Sequence, residues 1–427
     1  MIFTVLVLFG IFGLLLFFNV PLVVAIGLPT LIFIFNDFTL PIMAQRVYMA
    51  VDSFTLLAIP LFMLAGKIME IGGMSKRIIR LANCLVGWMS GGLAHVIIVS
   101  CAFFGALSGS SPATTAAMGS ILIPEMKEKG FPTDFSAGLT AVSGCLGTII
   151  PPSIPMVVYG VVSGTSIGEL FIAGIIPGML MASFLMITVY VMSKKKKLPR
   201  TGNFTFKELK NSFLDSIAAL MVPVIILGGI YGGYFTPTEA GVIAVVYGFL
   251  ISIFYYKEIN LNNFLEVLGG AITNTVLVMI IVAVSGAFSW LLTISGVSSL
   301  IGKSIASFAT TKILFLIVVN ILLVFVGCFI ETVAGILIVT PVLFPIVQSL
   351  GIDPVQFGII VTVNLSIGMS TPPVGENQYI AAAIAKIPFD KEVKAALPFL
   401  LVAFLSLIII TFVPQVSLWL PNVLGMR

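Results

Sequence analysis

Four short stretches of this 427-residue chain hold most of its chemistry-bearing residues in apolar surroundings. Ser108-Gly-Ser-Ser-Pro112, followed by Thr114, gathers hydroxyls around a small-residue turn. Gly147-Thr-Ile-Ile-Pro-Pro-Ser-Ile-Pro155 sets three prolines within five residues. Gly368-Met-Ser-Thr-Pro-Pro-Val-Gly-Glu-Asn377 repeats that layout with more hydroxyl and amide groups, and Gly327-Cys-Phe-Ile-Glu-Thr332 adds a carboxyl.

Proline removes a backbone donor and pushes the preceding residue out of the α region, so the two proline stretches are predicted to interrupt helices. A carbonyl left unpaired in lipid costs several kcal/mol unless something binds it. A sodium ion is a suitable partner, being hard and oxygen-seeking; a neighbour's hydroxyls are the alternative. Gly105, Ser108, Gly147, Ile150 and Pro151 could enclose one cation, and Gly327, Thr332, Gly368 and Thr371 another. Ser108, Gly109, Ser110 and Ser111 form a polar tip beside a helix N-terminus, which favours anions. Ser153, Ser370 and Asn377 can approach from the broken helices, giving a pocket for a small hydroxylated or carboxylated anion. Close helix packing through small residues would explain the same tip. Glu331 and Glu376 are candidate intramembrane acids, able to ligate sodium, carry a proton or bond nearby backbone.

Other chemistry is scarce. One histidine, His95, cannot build a metal site or a hydrolytic triad alone, and Cys84, Cys101, Cys145 and Cys328 are scattered without a CxxC spacing. Gly164-Thr-Ser-Ile-Gly168 fits the Gly-x-Ser-x-Gly pattern, which needs an α/β sheet and a histidine base. Neither is expected here, and the chain reads as no enzyme. Only 9% of residues are charged and 59% are hydrophobic, with mean hydropathy +1.19. A soluble domain is about 25% charged. Soluble enzymes, nucleic-acid binders and disordered chains are excluded, and the bilayer is the partner.

The elements that position these stretches follow from hydropathy. Plain spans of about 20 residues are predicted at Ile2–Phe18, Val20–Phe35, Phe54–Ile71, Leu170–Met192, Ile217–Tyr234, Gly241–Tyr256, Ala271–Leu292 and Ala396–Leu420. Threading the chain through them puts 16 of the 21 basic residues on one face and makes that face cytoplasmic. Both termini then lie outside. The threading requires 91–126 and 313–348 to be re-entrant hairpins of two half-depth helices. Met74–Val86 and Ser298–Thr311 precede them as interfacial helices, and Lys194–Lys197 is a cytoplasmic anchor.

Two segments align without a gap at an offset of 221. Pro151-Pro152 matches Pro372-Pro373, and Gly147, Pro124, Gly130, Ala113, Leu122 and Val142 match Gly368, Pro345, Gly351, Ala334, Leu343 and Val363. The halves start from opposite faces, so the repeat is inverted. Inverted repeats with broken helices mark secondary transporters and point to the binding site. The expected fold is an all-α polytopic membrane protein with an inverted repeat, two hairpins and two discontinuous helices. Its expected parts are 1–90 (scaffold and first arm helix), 91–165 (first hairpin and broken helix), 166–297 (scaffold), 298–387 (second arm, hairpin and broken helix) and 388–427 (a C-terminal span).

At these residues the chain resembles the large membrane subunit of tripartite ATP-independent periplasmic (TRAP) transporters. The resemblance is carried by Ser108-Gly-Ser-Ser-Pro-Ala-Thr-Thr-Ala-Ala117, Leu146-Gly-Thr-Ile-Ile-Pro-Pro-Ser153, Gly368-Met-Ser-Thr-Pro-Pro373 and Ala58-Ile-Pro-Leu-Phe-Met-Leu-Ala-Gly66. It implies an elevator-type, sodium-driven importer of carboxylates such as C4-dicarboxylates or sialic acids, in a bacterial inner membrane. It also implies a small four-helix membrane subunit and a periplasmic substrate-binding protein as partners. By the resemblance Ser108, Gly147 and Pro151 fall in a first sodium region, and Gly327, Gly368 and Thr371 in a second; Glu331 receives no role from it. A stand-alone di/tricarboxylate carrier and a channel are the other readings.

Overall fold

The computed structural model describes all residues except 1, 19, 38, 201, 203–204, 297–310 and 427. Among the described residues every regular element is helical. Helices α1 (Ile2–Phe17), α2 (Leu22–Asp37), α3 (Leu40–Val51) and α4 (Ala58–Ile71) open the chain, and α5 (Met74–Val86) follows. The first hairpin is α6 (Gly92–Ser108) and α7 (Ser111–Glu128). The first broken helix is α8 (Thr133–Gly144), α9 (Leu146–Ile149) and α10 (Ile154–Ser163), bent by 44° at the break. Helices α11 (Ile167–Lys196), α12 (Phe206–Tyr231), α13 (Pro237–Leu250) and α14 (Leu261–Ile294) lead to the second half. There α15 (Lys312–Phe329) and α16 (Thr332–Ser349) form the second hairpin, and α17 (Pro354–Gly368) and α18 (Glu376–Ala385) the second broken helix. Helices α19 (Phe389–Phe412) and α20 (Gln415–Val423) end the chain. Eight of the described helices are long and apolar enough to cross a membrane.

The repeat is visible in the element boundaries. Helices α7 and α16 start at Ser111 and Thr332 and end at Glu128 and Ser349, and 332 − 111 = 349 − 128 = 221. Helices α8 and α17 start 354 − 133 = 221 apart. The turns between them use Gly130 and Gly351 in the left-handed region, at φ +86° and +60°. After the breaks the offset becomes 376 − 154 = 222, so the second break holds one extra residue. At the centre, the Cys145 thiol donates to the Ser366 carbonyl and the Ser366 hydroxyl donates to the Cys145 carbonyl, both at 3.1 Å. These two residues are themselves 221 apart. Reciprocal bonding of equivalent residues is what a two-fold axis between the halves produces.

Each half also lends its last helix to the other. Helix α10 packs on α16 and α17 of the second half, and α18 packs on α7 and α8 of the first. A hairpin arm of 17 or 18 residues is about 26 Å long at 1.5 Å per residue, against about 30 Å for the hydrocarbon core. The arms are therefore longer than the half-depth helices expected, because only two residues join each pair, Gly109 and Ser110 in the first and Ile330 and Glu331 in the second.

One further expectation changes, and two features are new. The predicted span Ala396–Leu420 ends at Phe412: Val413 leaves the helix at φ −117°, ψ 86° before Pro414, and α20 packs separately on α11. Helix α3 was unforeseen; it is short and amphipathic, packs on α14, and sets the Arg46 guanidinium 4.6 Å over the Trp290 ring. Glu70 pairs with Lys67 at 3.0 Å. The interfacial helix expected at Met74–Val86 is α5, with Met74, Ile78 and Ala82 buried. Its counterpart at Ser298–Thr311 falls, but for Thr311, outside the described residues.

Candidate functional site

At the first junction the hairpin tip meets the first break. Gly105 faces Gly147 so closely that a Cβ on Gly105 would lie 2.7 Å from the Gly147 Cα and 2.9 Å from the Leu146 carbonyl. Gly109 turns the tip at φ +61°, and its carbonyl accepts from the Ile154 amide at 3.3 Å. Ser110 then precedes α7. Thr114 Oγ1 donates to the Ser110 carbonyl at 2.8 Å and shares a hydrogen bond with Ser108 Oγ at 2.8 Å. A Cβ on Gly147 would collide with Thr114 Oγ1 and the Ser110 carbonyl. So the structure brings together Gly105, Ser108 and Gly147, and adds Thr114. Ile150 and Pro151 follow on the same turn; the half-buried Ile150 side chain packs towards Gly178.

The first break is partly closed by the protein's own groups. Pro151 and Pro152 cannot donate to the carbonyls of Gly147 and Thr148. The Ser153 hydroxyl meets the Thr148 carbonyl at 2.5 Å. Ser153 was expected in the anion pocket; its hydroxyl is engaged at the break instead, because this is the nearest donor to an abandoned carbonyl.

The second junction repeats this backbone. A Cβ on Gly327 would lie 2.9 Å from the Leu365 carbonyl and 3.0 Å from the Gly368 Cα. The Gly375 amide donates to the Cys328 carbonyl at 3.3 Å. The Gly368 carbonyl accepts from the Thr371 amide (2.8 Å), that of Met369 from the Asn377 amide (2.9 Å), and that of Ser370 from Gln378 Nε2 (2.7 Å). Here the alternative of protein donors at the break describes what is seen. Thr332 Oγ1 donates to Met369 Sδ at 2.9 Å. Glu331 Oε2 accepts from the amides of Val333 (3.0 Å) and Ala334 (3.4 Å), capping α16 where Ser110 precedes α7. Glu376 is exposed at the start of α18.

Between the junctions lies a buried polar set. Asn377 Nδ2 donates to Ser111 Oγ at 2.7 Å and to Ser370 Oγ at 2.9 Å. The Ser370 hydroxyl donates to the Ala141 carbonyl at 2.8 Å and lies 3.1 Å from Cys145 Sγ. Ser111, Ser370, Asn377 and Cys145 are each 0% exposed. Three of the expected anion-pocket residues thus converge, from the first hairpin and the second break. Ser108, Gly109 and Ser110 sit beside them at the first junction. Sequence reasoning missed Cys145, Thr148, Ser366 and Gln378. Only the adjacency of Gln378 to Asn377 hinted at any of them.

The chemistry of the whole region is oxygen-rich. Among the described residues no group of three or more His, Cys, Asp or Glu could hold a metal ion. Carbonyls and hydroxyls suit a hard monovalent cation, and α7 directs unpaired N-terminal amides at the Ser111 end.

The chain matches the family described as "Tripartite ATP-independent periplasmic transporter, DctM component" over residues 4–416. It is 39% identical to the C4-dicarboxylate TRAP transporter large permease protein DctM of Rhodobacter capsulatus, across 99% of both chains. It is 38% identical to the sialic acid TRAP transporter large permease protein SiaM of Vibrio cholerae, across 89% of both. The YdaH transporter of Alcanivorax borkumensis superposes with a TM-score of 0.60 at 12% identity, covering 88% of both chains, which shows a shared fold alone. The relatives are named as permease subunits rather than enzymes. With hairpins, breaks and sequence in agreement, this multi-pass membrane protein belongs to the DctM-component family of tripartite ATP-independent periplasmic transporters.

Proposed function

We propose that the chain is the translocating subunit of a sodium-driven importer of small organic acids, C4-dicarboxylate or sialic-acid-like. It works with a small membrane subunit and a periplasmic substrate-binding protein in a bacterial inner membrane, with both termini periplasmic. The observation that carries the reading is the pair of glycine-on-glycine junctions flanking one buried hydroxyl and amide pocket.

Sodium at each junction draws a hairpin tip against its break and adds positive charge beside a pocket that has no basic side chain in its hydrogen bonds. The acid's carboxylate then meets the N-terminal amides of α7 near Ser111. Asn377 Oδ1, which is buried and has no donor among the described residues, accepts from a substrate hydroxyl. The two hairpins and breaks move together as an elevator against the long helices. Two sodium ions, each falling through a tenfold gradient, supply about 2.8 kcal/mol, enough for roughly a hundredfold accumulation.

Proteoliposomes test this. The purified chain and its small subunit are reconstituted, and the binding protein is supplied outside with radiolabelled acid. Uptake is expected only with an inward sodium gradient and all three components. Uptake by the chain alone would replace the tripartite reading with a stand-alone carrier, and uptake indifferent to the gradient would remove the coupling.

A further inference from the structure

A groove of about 500 Å³ lies beside the end of α11, and its lining follows the depth of a bilayer. Ile187, Tyr190 and Lys194 line it from α11, three and four residues apart, so they form one stripe along the helix. Ile187 is apolar and exposed, Tyr190 has an apolar ring with a polar tip, and Lys194 is charged. At 1.5 Å per residue Lys194 stands about 6 Å beyond Tyr190 and about 10 Å beyond Ile187. The headgroup layer on each side of a bilayer is about 5–8 Å deep. With Ile187 in the hydrocarbon and Tyr190 at its edge, where aromatic rings collect, the Lys194 ammonium stands at the level of the lipid phosphates.

The backbone brings a second cation to the same groove. After α11 the chain reverses: Lys197 takes the left-handed conformation at φ +51°, and the Leu198 amide donates to the Ser193 carbonyl at 3.0 Å. The Gly202 amide then donates to the Gly87 carbonyl at 3.1 Å, which holds the linker against the connection between α5 and α6. Arg200 thereby lines the groove from the linker, and Trp88 lines it from the connection. Trp88 Nε1 donates to the Leu85 carbonyl at 2.9 Å, which anchors the indole, and Lys194 Nζ lies 4.6 Å over the Tyr190 ring. Among the described residues no acid lines this groove.

Two contrasts set it apart. Another cavity of about 500 Å³ places Asp134 among Lys196, Lys391 and Lys394, so its charge is partly balanced. The repeat sets α19 opposite α11, since 389 − 167 = 222. At that offset Ile409 and Phe412 match Ile187 and Tyr190, but Val416 and Asn422 stand where Lys194 and Arg200 are. The apolar and aromatic positions recur in the second half, and the cations do not.

We propose that this groove binds one anionic phospholipid, with its phosphate held by Lys194 and Arg200, its glycerol at Trp88 and Tyr190, and an acyl chain along Ile187. The two cations fit a phosphate, and the exposed apolar floor fits a chain that a free anion lacks. The bound lipid joins α11 and its linker to the connection that leads into the first hairpin.

Thermal unfolding of the purified full chain in detergent tests this, with phosphatidylglycerol or phosphatidylcholine added to the micelles. Phosphatidylglycerol is expected to stabilise the wild type, and phosphatidylcholine, which has no net charge, far less. Lys194→Gln with Arg200→Gln is expected to raise the half-stabilising fraction of phosphatidylglycerol about thirtyfold, each cation facing anionic lipid being worth about fivefold in affinity. Lys195→Gln with Lys197→Gln removes the same charge outside the groove and is expected to shift it less than fivefold. Ile187→Trp crowds the floor without touching the charge and is expected to raise it about fivefold. All five side chains are exposed, so the variants are expected to fold. Equal shifts in the two double variants would reduce the effect to a general basic field and overturn the groove. Equal stabilisation by the two lipids, or by inorganic phosphate alone, overturns it as well, and so does an unchanged response in Ile187→Trp. Loss of the lipid effect when the small subunit is added would give the groove to that subunit instead.

Discussion

At the first junction Gly105 meets Gly147 behind a hydroxyl tip of Ser108, Ser110 and Thr114; at the second, Gly327 meets Gly368 behind a tip headed by Glu331. The glycines, proline pairs and helix boundaries match across the repeat, whereas the side chains around them do not. The shared backbone does what both halves must do, which is to bring a tip against a break. The side chains divide the labour: the first half supplies Ser111, Ala141 and Cys145 to the pocket, and the second supplies Ser370 and Asn377, while Glu331 caps its own hairpin helix. Perturbing equivalent positions in turn separates the shared task from the divided one.

The largest effects are expected at the shared backbone. Gly105→Ala and Gly327→Ala each force a methyl group into a neighbouring backbone at 2.7–3.1 Å. Overpacking of this kind costs about 1–3 kcal/mol, and here it also parts tip from break. Uptake should fall on the order of 100-fold in both variants, with the unfolding temperature of the solubilised chain lowered in both. A strong loss in one and full activity in the other would break the equivalence of the junctions.

Next are the proline pairs. Pro151→Ala with Pro152→Ala restores two backbone donors and lets α9 run on into α10; Pro372→Ala with Pro373→Ala does the same in the second half. Sodium-coupled uptake should be abolished in the first double variant. The second should be milder, since Thr371, Asn377 and Gln378 already satisfy the carbonyls of its break. Uptake assays across a sodium titration decide the order, and unchanged sodium dependence in the first variant would remove the first site.

The pocket comes third. Asn377→Leu leaves the Ser111 and Ser370 hydroxyls without their shared donor in a fully buried place. A lost buried donor costs about 1–3 kcal/mol, so the substrate concentration for half-maximal uptake should rise about ten- to hundredfold. Ser153→Ala, whose hydroxyl serves a break carbonyl, should leave that concentration within about twofold while lowering stability by about 1 kcal/mol.

Much of this architecture was legible because membranes make backbone satisfaction so demanding. Prolines at 151–152 and 372–373 had to break helices, and one offset linked them. Gly147 and Gly368 were legible too, as small residues four positions before the proline pairs, whereas their partners Gly105 and Gly327 lie on the hairpins. What stayed hidden depends on direction rather than type. Glu331 reads as an intramembrane acid, but only the start of α16 reveals it as a cap. Ser153 directly follows one proline pair and Ser370 stands two residues before the other, yet one hydroxyl closes a break and the other joins the pocket. Cys145 looks like an inert apolar thiol until the two-fold axis sets it against Ser366. Such roles arise from which helices cross, and no spacing within one helix encodes them.

The smallest effect is expected at a device present in one half only. Asn364 Nδ2 donates to Asn320 Oδ1 at 2.7 Å, Thr411 Oγ1 donates to the same oxygen at 3.2 Å, and Asn320 Nδ2 donates to the Leu316 carbonyl at 2.6 Å. This clamp ties α15, α17 and α19 together one turn before Gly368 and two turns before Gly327. At the offset of 221 the first half has Val99 and Ser143 instead, with Ile98 facing if the glycines are aligned. Asn364 Nδ2 also reaches the Asn320 backbone carbonyl at 3.3 Å, so Asn320→Val should cost only about 0.5–1 kcal/mol by removing the shorter bond. Adding Asn364→Ser should recover most of that loss, since the pair then reproduces the first half. Equilibrium unfolding of the two variants checks the order. If the double variant is less stable than the single one, the clamp acts through more than its own hydrogen bonds, and the halves differ in packing as well as in chemistry.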